Sequence, residues 1–283
     1  MFGLFKSKGE KPEEQARKQP SETPVNKQFK ELAAQFLPEE LTILAVTGAN
    51  GFGGGKTRGE TLWTASIGLT AWMEEDSPDI HRGKFVLSTI ADDRLLGVLR
   101  QRARSDFIIK FRGRVSENGQ RLLLLDLPEP AFDPDLKAIL EEEKKPVTFQ
   151  EEGLGAFTLN RQVDWFETTV DWLGTEISLV FDAEEDRAGC IQNAKAVLAA
   201  AGDWDRRVRE YAAGELLSSA NDWAEDEEIT REQFMERMEL ESIEVRADGG
   251  FDFWFGDGDL FYGHSIHVSG DMENGPDDAE MEG

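Results

Sequence analysis

GAFTLNRQVDWFETTVDWLGTEISLVFD, residues 155–182, reads as three consecutive strands. GAFTLNR, VDWFETTVDW and TEISLVFD are short and rich in aromatic and β-branched residues, with breaks near Arg161 and at Leu173-Gly174. The pattern then turns helical. AEEDRAGCIQNAKAVLAAAG (183–202) is a helix closed by Gly202. DWDRRVREYAAGELLSSAN (203–221) is a second, with Asp203 as its cap and Val208, Tyr211, Ala212, Glu215 and Leu216 near one face. A third starts at a capping box from Thr230 to Gln233, with Ile229 and Phe234 as the flanking hydrophobic pair. LESIEVRA, FDFWF and LFYGHSIHV return to strand, the last two joined by the turn residues GDGD at 256–259. The order β-β-β-α-α-α-β-β-β segregates strands from helices. It predicts an α+β domain rather than a doubly wound parallel sheet.

Upstream of this domain the pattern is mainly β. LTILAVTG (41–48), ETLWTASIGLTAW (60–72) and GKFVLST (83–89) read as strands. DDRLLGVLRQRAR (92–104) is a short helix, and 106–127 is a hairpin turning at Asn118-Gly119. These predict a β-rich small barrel or curved sheet. Helices flank it: Phe29, Leu32, Ala33 and Phe36 fall at helical spacing before Pro38, and DPDLKAILEEEKK (133–145) begins with an Asp133 cap. The expected organisation is a disordered tail at 1–26, a β-rich module at 27–145, an acidic α+β domain at 150–270 and an acidic disordered tail at 271–283.

The 283 residues carry a net charge of -26, spread unevenly. Residues 1–30 hold 7 basic and 4 acidic groups (+3), 31–150 hold 15 and 19 (-4), and 151–283 hold 9 and 34 (-25). Such a field repels nucleic acid and anionic lipid and attracts basic proteins. The 18 Phe and 7 Trp supply enough apolar area for real cores. The lone Cys190 excludes an internal disulfide and, with no signal-peptide core in MFGLFKSKGEKPEEQ, places the expected location in the cytoplasm. No apolar run is long enough to span a bilayer.

Three features invite a chemical reading. VTGANGFGGGKT (46–57) follows a strand and offers Gly53, Gly54, Gly55 and Lys56 as an anion- or ligand-binding loop. A phosphate loop needs its first Gly at position 50, which is Asn, and a helix afterwards, where an alternating segment stands instead. Lys110, Arg112 and Arg114 share one strand face near Arg100, Arg102 and Arg104. Without neighbouring exposed aromatics they point to acidic surface of the chain itself more than to nucleic acid. His264 and His267 lie three apart on a strand and face opposite ways, so they do not chelate one ion. His264 with Asp257 and Asp259 is the remaining enzymatic or metal candidate, but Asp-Gly-Asp between strands is ordinary turn chemistry. No nucleophile elbow or catalytic triad is visible, and no metal or cofactor is assigned.

LGAFTLNR, VDWFETTVDWLGTEISLVFD, LLSSANDW, ITREQFMERMELESIEV and DGGFDFWFGDGDLFYGHSIHVSG together resemble a bacterial family, domain of unknown function 2262, over about 153–270. Its marks here are Asn221, Trp223, Phe234, Asp257, Gly258, Phe261, Gly263, His264 and Ile266. The resemblance implies no catalytic residues, and each mark has a packing or turn explanation. The class expected from charge is a non-enzymatic binding module, immunity- or inhibitor-like. Its basic partner would meet the acidic loop Glu225, Asp226, Glu227 and Glu228. The alternatives are an enzyme using the glycine loop (48–57) or His264 with Asp257 and Asp259, and a DNA-mimicking inhibitor.

Overall fold

The computed structural model describes residues 24–59, 61–224 and 228–283. Most of the expected 1–26 tail lies outside the described residues; residues 24–26 begin a helix, α1 (Pro24–Ala33). The chain divides into two compact units, Met1–Glu143 and Lys144–Gly283. Among the described residues no helix is long and apolar enough to cross a membrane.

Unit 1 is a closed five-stranded barrel. After α1 come β1 (Leu41–Thr47), β2 (Gly53–Gly55), β3 (Trp63–Glu74), β4 (His81–Ala91), α2 (Asp93–Arg102), β5 (Ile108–Val115), β6 (Arg121–Leu124), β7 (Glu129–Pro130) and α3 (Pro134–Glu143). The strands follow the order β1-β3-β4-β6-β5, and β1 pairs β5 to close the ring. Only β4–β6 is parallel within that ring. This is a five-stranded Greek-key barrel, the architecture of the OB-folds. Alternation explains it: Ala65, Ile67 and Leu69 of β3 point inward with Ile43, Leu87, Ile109 and Leu122, while Thr64 and Ser66 face out; a bulge after Leu69 then turns Ala71 to the outer side. The helices jacket the outside. α3 buries Leu136, Ile139 and Leu140 against Leu44, Val46, Met73 and Ile108, and the α1 segment packs Leu32 and Phe36 against Ile90 and Leu123.

Unit 2 is an eight-stranded sheet with one helical layer. Its strands are β8 (Thr148–Glu151), β9 (Gly155–Asn160), β10 (Trp165–Trp172), β11 (Thr175–Asp182), β12 (Glu239–Val245), β13 (Gly250–Gly256), β14 (Ser265–Asp271) and β15 (Gly275–Glu282), paired in chain order. Only β11–β12 is parallel, because α4 (Arg187–Ala199), α5 (Ala201–Trp223) and α6 (Arg231–Arg237) intervene there as a crossover. Phe157, Phe166, Leu179, Phe181, Phe251, Phe253 and Phe255 face the helices and pack on Cys190, Val197, Trp204, Val208 and Phe234. The alternate residues face away from that layer.

The expected three-strand blocks each gain one strand. β8 adds Phe149, stacked on Phe157 with centroids 5.0 Å apart. β15 replaces the expected disordered tail. An edge strand needs one apolar face only, and Ala279 and Met281 supply it, while the backbone pairs with β14 and Tyr211 Oη donates to the Asp277 carbonyl at 2.6 Å. Gly202 does not close α4. The chain breaks at Ala200 (φ -113°, ψ 25°), which lets Val197 and Trp204 both reach the core, and Asp203 lies in the first turn of α5 without capping it.

Candidate functional site

The glycines of the expected ligand-binding loop form a strand. Gly53, Gly54 and Gly55 form β2 and pair antiparallel with Ser66, Ala65 and Thr64. A Cβ on Gly54 would come within 3.2 Å of the Trp63 ring and 3.1 Å of Leu96, so glycine is what allows β2 to lie there. Lys56 stands 3.9 Å from the centroid of the Trp63 ring and 3.6 Å from Asp93 Oδ1, and Trp63 Nε1 donates to the same oxygen at 2.6 Å. Those contacts hold Asp93 below the usual carboxylate range, the indole hydrogen bond first and Lys56 second. Among the described residues the next element is β3, not a helix that could receive a phosphate. The basic strand is likewise engaged at home. Lys110 meets Glu75, Arg114 meets Glu40 at 2.7 Å, and Arg112 lies 3.6 Å from Asp126.

The family-resembling residues of the C-terminal half come together at the turn between β13 and β14. The Asp257 carboxylate accepts from the N–H groups of Phe261 (2.6 Å), Gly263 (3.0 Å) and Asp259 (3.3 Å). Gly258 has φ +54°, and a Cβ there would sit 2.2 Å from the Arg237 carbonyl oxygen. His264 Nδ1 lies 2.6 Å from the Phe261 carbonyl, and its ring stands edge-on to Trp223 at 5.5 Å. Trp223 also packs against Phe261. Asn221 clamps Ile229, accepting from its N–H at 2.6 Å and donating to its carbonyl at 3.2 Å. Asp257 and His264 thus spend their polar atoms on the turn, and Asp259 takes a positive φ of 64° in it. Glu225, Asp226 and Glu227 lie outside the described residues; Glu228 is exposed.

A different site lies on the sheet face away from the helices. Asp252 and Trp254 of β13 and His267 of β14 alternate with the core phenylalanines and valine and so point outward. His267 Nε2 lies 2.7 Å from Asp252 Oδ1, and the Arg246 guanidinium holds the other carboxylate oxygen. The Trp254 ring stacks on the imidazole at 4.3 Å, leaving His267 only 13% exposed. The second ring nitrogen, Nδ1, faces β15, with Glu280 Oε1 at 3.5 Å and Glu282 Oε1 at 4.0 Å. The hydrogen bond to Asp252 raises the His267 pKa, against the opposing effect of burial. Burial, then the adjacent Asp252, raises that of Glu244.

Period two in FDFWF, SIHVS and DDAEME was the available signal for this site. It stayed hidden because half of it lies on β15. His264 precedes β14 and packs on Trp223 while His267 sits on the strand, so the two histidines serve different places.

The same outer face has an extreme charge pattern. No strand from β8 to β15 contains a lysine or arginine. Asp171 and Glu176 stand directly opposite one another on β10 and β11, as do Glu244 and Asp252 on β12 and β13. Most cations of this half, among them Lys195, Arg206, Arg207, Arg209, Arg231 and Arg237, lie on the helices.

A comparison with curated proteins returned no match. Residues 28–143 match the family described as domain of unknown function 7021. Residues 151–281, a span that includes β15, match the model of domain of unknown function 2262, described as an uncharacterized protein conserved in bacteria.

Proposed function

We propose that the protein is a non-enzymatic binding module, immunity- or inhibitor-like, whose C-terminal half holds a basic protein partner on the outer face of its sheet. The observation that carries this is the absence of any lysine or arginine from eight strands, together with Asp171 and Glu176 set directly opposite one another; the second opposed pair, Glu244 and Asp252, is already met by Arg246 and His267. Like charges across a strand pair are destabilising, so a fold that keeps them accepts a cost that a cationic partner would remove. Trp165 and Trp254 lie among the carboxylates on that face and offer the aromatic anchors that interfaces use.

The test is recovery from native lysate at low and high salt, with wild type beside Glu167→Lys/Glu176→Lys. A stoichiometric basic partner lost at high salt and lost with the double variant supports the reading. A partner retained unchanged by the variant removes the sheet face from it. If the partner is itself a DNA-binding protein that DNA displaces, the acidic face acts as a DNA mimic.

A further inference from the structure

We propose that His267, Glu280 and Glu282 form a binding site for a single first-row divalent cation such as zinc or manganese, with Asp252 as the positioning residue that presents the imidazole. This goes beyond the binding of a basic protein and does not depend on it.

Strand geometry builds the site. His267 stands directly opposite Glu280 in the β14–β15 register, and Glu282 is the next residue along on the same face, opposite Ser265. The three donor atoms, one imidazole nitrogen and two carboxylate oxygens, all lie within 4.8 Å of one another. Ligands about 2.0–2.2 Å from a metal lie roughly 3–3.5 Å apart. The Nδ1 to Glu280 separation of 3.5 Å is already at that value, and Glu282 at 4.0 Å closes by a side-chain rotation that its exposure permits.

The hydrogen bonding points the same way. Neutral imidazole carries one N–H, and Asp252 takes it at Nε2. In that neutral ring the lone pair on Nδ1 faces two carboxylates; in the protonated ring Nδ1–H faces them instead, and a metal ion takes that proton's place. Three electron-pair donors turned toward one point repel one another unless a cation or a proton sits between them. A carboxylate on the far ring nitrogen is the arrangement that fixes tautomer and orientation in histidine metal ligands. Here Asp252 is 7% exposed, held in turn by Arg246, and the ring is clamped by Trp254. The mixed nitrogen and oxygen set favours zinc or manganese over calcium or magnesium, which prefer all-oxygen shells. Glu280 and Glu282 are 54% and 47% exposed, so the remaining coordination positions open to solvent.

The experiment titrates the tag-free full-length chain with zinc chloride, and separately with manganese and magnesium chloride. It is read by calorimetry and by nitrogen NMR of the three histidine side chains. The expected result is one equivalent of zinc, with the His267 Nδ1 resonance displaced and those of His81 and His264 unmoved. Glu280→Gln/Glu282→Gln, on an exposed edge where folding is not at stake, abolishes that displacement. Asp252→Asn weakens binding about 10–100-fold while leaving the stoichiometry. Absence of zinc binding at millimolar concentration overturns the site. So does binding that the Glu280→Gln/Glu282→Gln variant retains, or binding that leaves the His267 resonances in place.

Discussion

Asp257 and Gly258 show how much one turn asks of single residues. Asp257 satisfies three backbone N–H groups from a position 6% exposed. Asp257→Ala leaves those donors without their acceptor and is expected to cost about 2 kcal/mol or more, read by denaturant unfolding. Gly258→Ala is expected to cost more than ~1 kcal/mol, because it combines a positive φ with a clash on the Arg237 carbonyl. Glu244 moves the other way. Its folded pKa is raised, so its effect on stability is favourable at low pH and lost as pH rises through the folded value. Glu244→Gln should therefore raise the melting temperature at pH 7 and make no difference near pH 3. Cys190 is fully buried, and burial pushes its thiol pKa up to about 11. An alkylating reagent at pH 8 should leave it unmodified until the chain unfolds. At this scale the sequence was informative about Thr230 and Asp133, whose capping patterns recur in the structure as hydrogen bonds. It was silent on the Asp252–His267 contact, which joins residues fifteen apart on separate strands.

Elements were legible where periodicity was strong and carried by large apolar groups. The barrel strands and the Phe-rich strands of the second sheet met that condition. β15 did not, since its core face offers only Ala279 and Met281 and its other face is acidic. Composition reads such a segment as a solvated tail. Pairing with β14 and packing against α5 supply what propensity lacks. Removing residues 273–283 is accordingly expected to destabilise the second unit and open Phe251 and Val268 to solvent. The measurement is thermal unfolding beside limited proteolysis. A true disordered tail would leave both unchanged. The break at Ala200 was unreadable for a related reason: Gly202 and Asp203 carry ordinary stop and start signals, and burial of Trp204 overrides them.

Across the whole molecule, charge segregation is the feature that sequence and structure both display. The sequence located the excess in residues 151–283. The fold then sorts it, with seven of the nine cations of this half on the helices, none on its eight strands, and Arg246 beside β12 held by the Asp252 carboxylate of the outer face. The two units have separate cores, so each is expected to unfold as its own transition when residues 24–143 and 144–283 are made apart. The sheet face is the proposed binding surface. The direct measurement is the association rate of the recovered partner with wild type, with Glu167→Lys/Glu176→Lys on the sheet, and with a matched reversal on the helices, Arg206→Glu/Arg231→Glu, at several ionic strengths. The sheet variant is expected to associate at least ~10-fold more slowly with a flattened salt dependence, while the helix variant keeps the wild-type rate or exceeds it. Loss of association in the helix variant with the sheet variant unchanged would contradict this proposal.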